Sequence, residues 1–358
     1  MDEISFARGV PAPECIPVDE LADCARAAVE RDGPTVLSYG PVGGYGPLRE
    51  WIAERHGVEP ARVLVTNGSL QGIAFLAERF RGRRVLVEAP TYDRPLKILA
   101  ARGVEVTAVP MDDDGLEFDA LEDALRTEPE PAFLYTIPTF QNPSGRTLAT
   151  DRRRRLVELA REHDLLVLED DPYGLVRFEG EPAPTLFELD GGERVVYSSS
   201  FSKTIAPGLR VGYFVLPKAL EQELEALAVS TYITPVLLGQ ATVLEFLRRG
   251  NLDGNLERVN ALLRLRRDAM LEALERELHG ARWSRPEGGY FIWLELRDDV
   301  DARALLERAE AAGVTFVPGS DFGGSASSVR LAFSFVSPEQ IREGVRRLAA
   351  LVETPVGV

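Results

Sequence analysis

The stretch Tyr197-Ser198-Ser199-Ser200-Phe201-Ser202-Lys203-Thr204-Ile205-Ala206-Pro207-Gly208-Leu209-Arg210-Val211-Gly212-Tyr213 decides how this chain of 358 residues is read. It has the pattern of a strand that runs into a serine-rich loop bearing one lysine, followed by a second strand. Hydroxyls and an arginine gathered around a single lysine can hold a phosphate while leaving the amine free to form an imine. Taken alone, a polar loop with a surface lysine has the same pattern, so the surroundings carry the argument.

Outward from that loop, apolar runs alternate with amphipathic segments. Arg84–Glu88, Val104–Val109, Ala132–Ile137, Leu165–Leu168, Arg194–Ser198 and Val211–Leu216 read as strands. Runs this continuous suit strands buried on both faces of a mostly parallel sheet. Ser69–Arg81, Asp93–Ala101 and Thr150–Glu162 place apolar residues three and four apart, as amphipathic helices do. The alternation predicts an α/β layered fold with right-handed crossovers. Arg152 to Arg155 open the third helix and read as its solvated face.

Past residue 218 the pattern changes. Asn251–His279 predicts one long helix, Gly289–Leu296 a strand, Ala302–Ala311 a helix, Ser328–Ser334 a strand, and a last helix starts at Pro338. These define a smaller α+β unit. The predicted division is a large unit over 39–250 and a small one from both chain ends, 1–38 and 251–358.

Composition narrows the function. Hydrophobic residues make up 45% and charged residues 27%, as in soluble globular chains. The 41 basic and 57 acidic side chains leave a formal charge of −16, which disfavours nucleic-acid phosphates. Cys15 and Cys24 define neither a disulfide framework nor a metal spacing. The acidic start Met1-Asp2-Glu3-Ile4-Ser5 lacks the basic and apolar regions of a secretory signal. No run of about 18 apolar residues predicts a membrane span. The expectation is a cytoplasmic protein that binds no nucleic acid or membrane. His56, His163 and His279 are scattered and read as surface residues, and no metal is expected.

Taken together, the motifs resemble the pyridoxal-phosphate enzymes of fold type I. They are most similar to class I/II aminotransferases of the aminoadipate, kynurenine and aromatic branch, from Ile4 to about Leu348. The resemblance implies a pyridoxal 5'-phosphate cofactor and assigns roles by position. Lys203 is the Schiff-base lysine that also moves the proton. Ser200, Ser202 and Arg210 ligate the phosphate, where a bidentate guanidinium suits a dianion. Thr66-Asn67-Gly68-Ser69-Leu70-Gln71-Gly72 is the second phosphate element, with Ser69, Leu70 and Gln71 at a helix start. Many relatives have glutamine where this chain has Leu70, leaving only its backbone N–H for that task.

Within Leu168-Glu169-Asp170-Asp171-Pro172-Tyr173, an aspartate three residues before a tyrosine selects Asp170 and Tyr173. Asp170 would keep the pyridine nitrogen protonated, and Glu169 and Asp171 are its rivals. Asn142, in Gln141-Asn142-Pro143-Ser144-Gly145, and Tyr173 would donate to the phenolic oxygen. The order adds weight. Asn142 precedes Asp170 by 28 residues, Asp170 precedes Lys203 by 33, and Lys203 precedes Arg210 by 7.

Tyr92 matches the aromatic that stacks on the ring, with a core tyrosine as the alternative. Tyr39 matches a tyrosine that reaches the neighbouring subunit's phosphate, which implies a homodimer with a shared site. Arg330 matches the clamp for the substrate α-carboxylate, with a strand ion pair as the alternative. Ser5-Phe6-Ala7-Arg8-Gly9-Val10-Pro11 resembles the segment that covers substrate. There Gly9 lies over substrate, and Arg8, often glycine in relatives, faces either an acidic substrate side chain or solvent. The implied reaction is amino transfer between an α-amino acid and a 2-oxo acid, with 2-oxoglutarate/glutamate as the common partner. β-Lyase or decarboxylase chemistry, and a ligand-sensing regulator, are the alternatives.

Overall fold

Val, Leu, Ile and aromatic side chains pack well on a pleated surface covered from both sides, and the apolar runs of this chain become strands for that reason. The structure, a computed structural model, describes residues 3–353. Eight strands form one sheet in the order Val63–Thr66, Gly212–Val215, Val195–Ser200, Leu166–Asp170, Phe133–Thr136, Arg84–Ala89, Glu105–Asp112, Gly115–Leu116. Neighbours from Val195–Ser200 through Glu105–Asp112 run parallel. The pairings outside that block are antiparallel.

Side chains that alternate along each strand feed two separate cores. Val63 and Val65 join the core beneath Leu48, Ile52, Leu156 and Phe246. Leu64, between them, joins Ile73, Leu76, Leu99 and Leu224 on the other face. This is the doubly covered sheet that the apolar runs predict.

The smaller unit has its own core. A four-stranded antiparallel sheet runs in the order Arg282–Trp283, Phe291–Glu295, Ser328–Ala332, Val317–Pro318. Leu263, Met270 and Leu274 of the helix Asn251–Glu277 pack with Ile341, Val345 and Leu348 of the helix Pro338–Glu353. The strand Ile4–Ser5 lies parallel to Val314–Thr315, and Phe6 is fully buried in this core.

Two sequence expectations change here. Residues 18–36, grouped with the small unit above, instead form two helical segments broken by a kink at Asp32, and their Cys24, Ala28 and Val36 join the large core beside the helix Leu237–Arg248. The helix Leu237–Arg248 is buried along nearly its whole length in the large unit, and residues 18–36 form part of its cover. The residues at 1–2 and 354–358, assigned to the small unit, lie outside those described.

The arginine run 152–155 is also not one solvated face. Arg153 is fully buried. It donates to the Leu148 and Pro138 carbonyls and to Thr139 Oγ1, each at 2.8 Å. Arg152 pairs with Asp112 at 2.8 Å and Arg155 with Glu122 at 2.9 Å, while Arg154 is exposed. Helical spacing puts residue 153 on the same stripe as Leu156, Val157 and Ala160, so the fold buries it and supplies acceptors.

Candidate active site

In a parallel sheet, the loops that leave the carboxyl ends of the strands converge at one edge. Tyr92 follows Arg84–Ala89, Asn142 follows Phe133–Thr136, Asp170 ends Leu166–Asp170, and the lysine loop follows Val195–Ser200. They meet in a cavity of about 320 Å³ that also takes Gly68, Ser69, Leu70, Tyr173, Arg210 and, from the small unit, Arg330. Gly9 of the N-terminal segment lines it too.

One end of the cavity is built for a polyanion. The helix Ser69–Arg79 opens there with the Ser69 and Leu70 N–H groups, which have no hydrogen bond among the described residues. Gly68 has φ +92°, and a Cβ on it would meet the Arg210 guanidinium at 2.2 Å. Only glycine lets the chain pass so close to that side chain. Arg210 donates to the Pro207 and Asn67 carbonyls at 3.2 and 3.3 Å. Ser200 Oγ donates to Ser202 Oγ at 2.8 Å, which gathers both hydroxyls at the same end.

The middle holds the reactive groups. Lys203 Nζ donates to the Gly9 carbonyl at 2.9 Å and stands over the Tyr290 and Tyr173 rings. Burial, reinforced by the nearby Arg330 and Arg210 charges, pushes the amine down to about 8. Roughly a tenth to a fifth of it is then neutral and nucleophilic close to physiological pH, far more than for a free lysine. Asp170 accepts from Tyr135 Oη at 2.9 Å and from Ser198 Oγ at 3.1 Å. Burial raises its carboxyl to about 6 against the pull of those two donors.

Strand alternation settles the rival acids. Glu169 points away and accepts from the Leu186 and Phe187 amides, both at 2.9 Å. Asp171 accepts from Tyr197 Oη at 2.9 Å and from the Gly174 amide at 2.7 Å. Of these acids, only Asp170 faces the cavity.

At the far end, Arg330 donates to Asn142 Oδ1 at 3.1 Å and to the Ala7 carbonyl at 2.9 Å, and its Nε has no partner. It thereby joins the large unit, the small unit and the N-terminal segment. Phe291 and Phe322 hold the guanidinium between them, 4.3 and 4.7 Å from its carbon. Asn142 Nδ2 has no hydrogen bond among the described residues.

Three sequence assignments fall outside the cavity lining. Gln71 turns back, and its Oε1 accepts from the Asn67 amide at 2.9 Å. It braces the loop that precedes the helix. Arg8 is exposed and stacks on Phe335 at 3.9 Å. Tyr39 is 80% exposed, in a separate surface groove with Leu37, Val236 and Leu237.

His56 departs from its expected surface placement. Its ring packs 4.8 Å from Tyr197, and its Nε2 lies 3.4 Å from Tyr213 Oη. Burial lowers it to about 4. His163 and His279 are exposed.

Sequence reasoning missed several contributors. Tyr135 and Ser198, on the strands that flank Asp170, orient its carboxylate. Strand adjacency was the signal, since Tyr135 lies opposite Leu168 and Ser198 opposite Asp170. Glu88 is buried and accepts from the Ile137 amide at 3.0 Å and from Gln141 Nε2 at 3.3 Å. It ties down the loop that carries Asn142.

The donor set fits pyridoxal phosphate. It has an anion cradle of serines, helix N–H groups and Arg210, and a partly neutral lysine beyond it. Asp170 is a buried carboxylate with no cationic partner among the described residues, as a protonated pyridine nitrogen requires. The fold and this site define a fold type I pyridoxal-phosphate enzyme.

The chain belongs to the family "Aminotransferase class I and II", whose model matches residues 15–348. It is 41% identical to the 2-aminoadipate transaminase of Thermus thermophilus, over 96% of this chain and 89% of that one. It is 36% identical to aromatic-amino-acid aminotransferase 1 of Thermococcus litoralis, over 98% and 88%. The kynurenine aminotransferase structure from Pyrococcus horikoshii superposes with a TM-score of 0.94 at 36% identity, covering 99% and 91%. The protein is a pyridoxal-phosphate-dependent transaminase. No helix among the described residues is long and apolar enough to cross a membrane.

Proposed function

We propose that this transaminase moves the amino group between an α-amino acid and a 2-oxo acid, with 2-oxoglutarate/glutamate as one partner. The observation that carries the reading is the convergence of Lys203, Asp170 and Arg330 on one cavity from three separate parts of the chain. Bound pyridoxal phosphate supplies the electron sink that makes the substrate Cα–H acidic.

The chain's own groups do the rest. Ser69, Ser200, Ser202 and Arg210 hold the phosphate, with the Leu70 amide beside them. Asp170, oriented by Tyr135 and Ser198, holds the proton on the ring nitrogen. Tyr173 and Asn142 donate to the phenolic oxygen, and Tyr92 covers the ring. Arg330 clamps the α-carboxylate, which fixes Cα within reach of Lys203. The neutral Lys203 amine would take up the Cα proton as an ammonium and release it to the former aldehyde carbon of the cofactor.

The functional unit in this reading is a homodimer in the cytoplasm. Exposed Leu37, Tyr39, Ile233 and Val236 form an apolar rim that a second copy would cover, bringing Tyr39 to the partner's phosphate. Cys15 and Cys24 are free thiols, as a reducing compartment keeps them.

The test is borohydride reduction of the loaded protein followed by peptide mapping, together with amino transfer from a panel of amino acids to 2-oxoglutarate. The cofactor should map to Lys203, and Lys203→Ala should lower turnover by roughly 10⁴-fold. Labelling of another lysine overturns the assignment. Release of carbon dioxide or ammonia in place of transfer overturns the reaction. Sedimentation of a monomer at micromolar concentration overturns the shared site.

A further inference from the structure

The roles above leave one cavity cation without a task. Lys203, Arg210 and Arg330 each have one, but Arg94 lines the same cavity and has none. It lies two residues after Tyr92, in the first turn of the helix Asp93–Ala100. Its guanidinium makes no hydrogen bond among the described residues. Its nearest carboxylate is Asp93, at 3.8 Å. Asp93 itself is held by Lys97 at 2.6 Å, so it compensates Arg94 poorly.

The neighbours add a direction. Leu70 and Ile137 also line this cavity and give it apolar surface. A substrate whose α-carboxylate sits on Arg330 must extend its side chain away from that clamp. A chain of methylenes can lie along apolar wall, and a terminal anion then meets the free guanidinium.

We propose that Arg94 is the specificity-determining residue for substrates with a second, distal carboxylate. This rests on the transaminase reading with Arg330 at the α-carboxylate. It assigns the selectivity to Arg94 and not to Arg8, whose guanidinium is stacked on Phe335 outside the cavity. Guanidinium and carboxylate pair in a fork that ammonium cannot reproduce, so Arg94→Lys retains only part of the effect. The helix start at Asp93 adds the positive end of its dipole at the same place.

The experiment compares the loaded wild-type protein with Arg94→Gln and Arg94→Lys. One arm measures kcat/KM for glutamate and for leucine. The other measures calorimetric binding of two unreactive probes, glutarate and 4-methylpentanoate. In Arg94→Gln the glutamate-to-leucine ratio should fall roughly 10- to 100-fold, or about 1.4–2.8 kcal/mol. The glutarate-to-4-methylpentanoate affinity ratio should fall by a similar factor, and Arg94→Lys should lie between.

Ratios that stay within twofold of wild type overturn the proposal, as does a wild type with no preference for either dicarboxylate. A preference for lysine that Asp93→Asn abolishes also overturns it, because Asp93 would then be the recogniser. Failure of the underlying reading has a different signature. The wild type would then transfer an amino group from no amino acid at all, or Arg330→Ala would cost neither substrate class anything.

Discussion

Glu169, Asp170 and Asp171 are consecutive, acidic and buried, yet they serve opposite sides of the sheet. Asp170 faces the cavity, where its two donors leave room for a cation. Glu169 and Asp171 face the rear, where backbone amides and the Tyr197 hydroxyl occupy them and Arg153 lies 3.9 Å from Glu169. The pleat alone makes this division, since successive side chains leave opposite faces. Chemical identity therefore says less about an acid's role than its parity along the strand.

The sharpest way to break that contrast is to neutralise each acid in turn. Asp170→Asn should keep the fold and lose roughly 10²- to 10³-fold in kcat, because it removes the charge that holds the ring proton. Glu169→Gln and Asp171→Asn should do the reverse. Unfolding stability should fall by about 1–3 kcal/mol through stranded donors, with kcat within a few-fold of wild type. Denaturant melts and steady-state rates on the three variants decide it. An active Asp170→Asn beside an inactive Asp171→Asn would exchange the two faces.

Tyr135→Phe probes the cavity face more gently. Removing one donor to the Asp170 carboxylate should cost about 0.5–1.5 kcal/mol, or up to roughly tenfold in kcat/KM. That donor favours the charged carboxylate, so its loss should also move the acidic limb of the pH–rate profile upward. An unmoved limb would mean that Tyr135 only packs.

The rear face should announce itself in stability against pH. His56 takes up a proton near 6.5 when unfolded and only near 4 when folded, because of its burial and the adjacent Arg55. As pH falls through that window the unfolded chain binds more protons, so stability drops. His56→Leu should flatten the decline of Tm between about pH 6.5 and 4. An equal slope in both proteins would place the acid sensitivity elsewhere.

The smallest effect is expected from Arg8→Gly. Loss of its stacking on Phe335 should cost about 0.5–1 kcal/mol of stability, with KM for glutamate and for leucine shifted less than about twofold. A selective rise in KM for glutamate would move the distal anion from Arg94 to Arg8.

The apolar runs made the sheet legible because a doubly buried strand has little freedom in composition. The helices Thr150–Glu162 and Ala302–Ala311 match their sequence reading at both ends. Asp170, Asn142 and Lys203 were legible because order and spacing repeat a known pattern. Arg153 and His56 were misread although a signal existed. Arg153 shares its stripe with Leu156 and Val157, and His56 lies on the stripe of Leu48 and Ile52. Charge and polarity suggested solvent where periodicity suggested core. Residues 18–36 gave no such signal, since their placement depends on a helix more than 200 residues away. Arg94 was invisible because its cavity exists only after distant loops meet.

The segment around Phe6 has a consequence for the order in which contacts form. Phe6 donates to the Thr315 carbonyl, Ala332 donates to that of Phe6, and Ser334 Oγ donates to the Val10 carbonyl. Arg330 and Lys203 reach the carbonyls of Ala7 and Gly9. Most of these partners lie more than 300 positions apart in the chain. Pairings so distant in sequence form late. The catalytic chamber is therefore closed by contacts that rank among the slowest to form, between distant parts of the described chain.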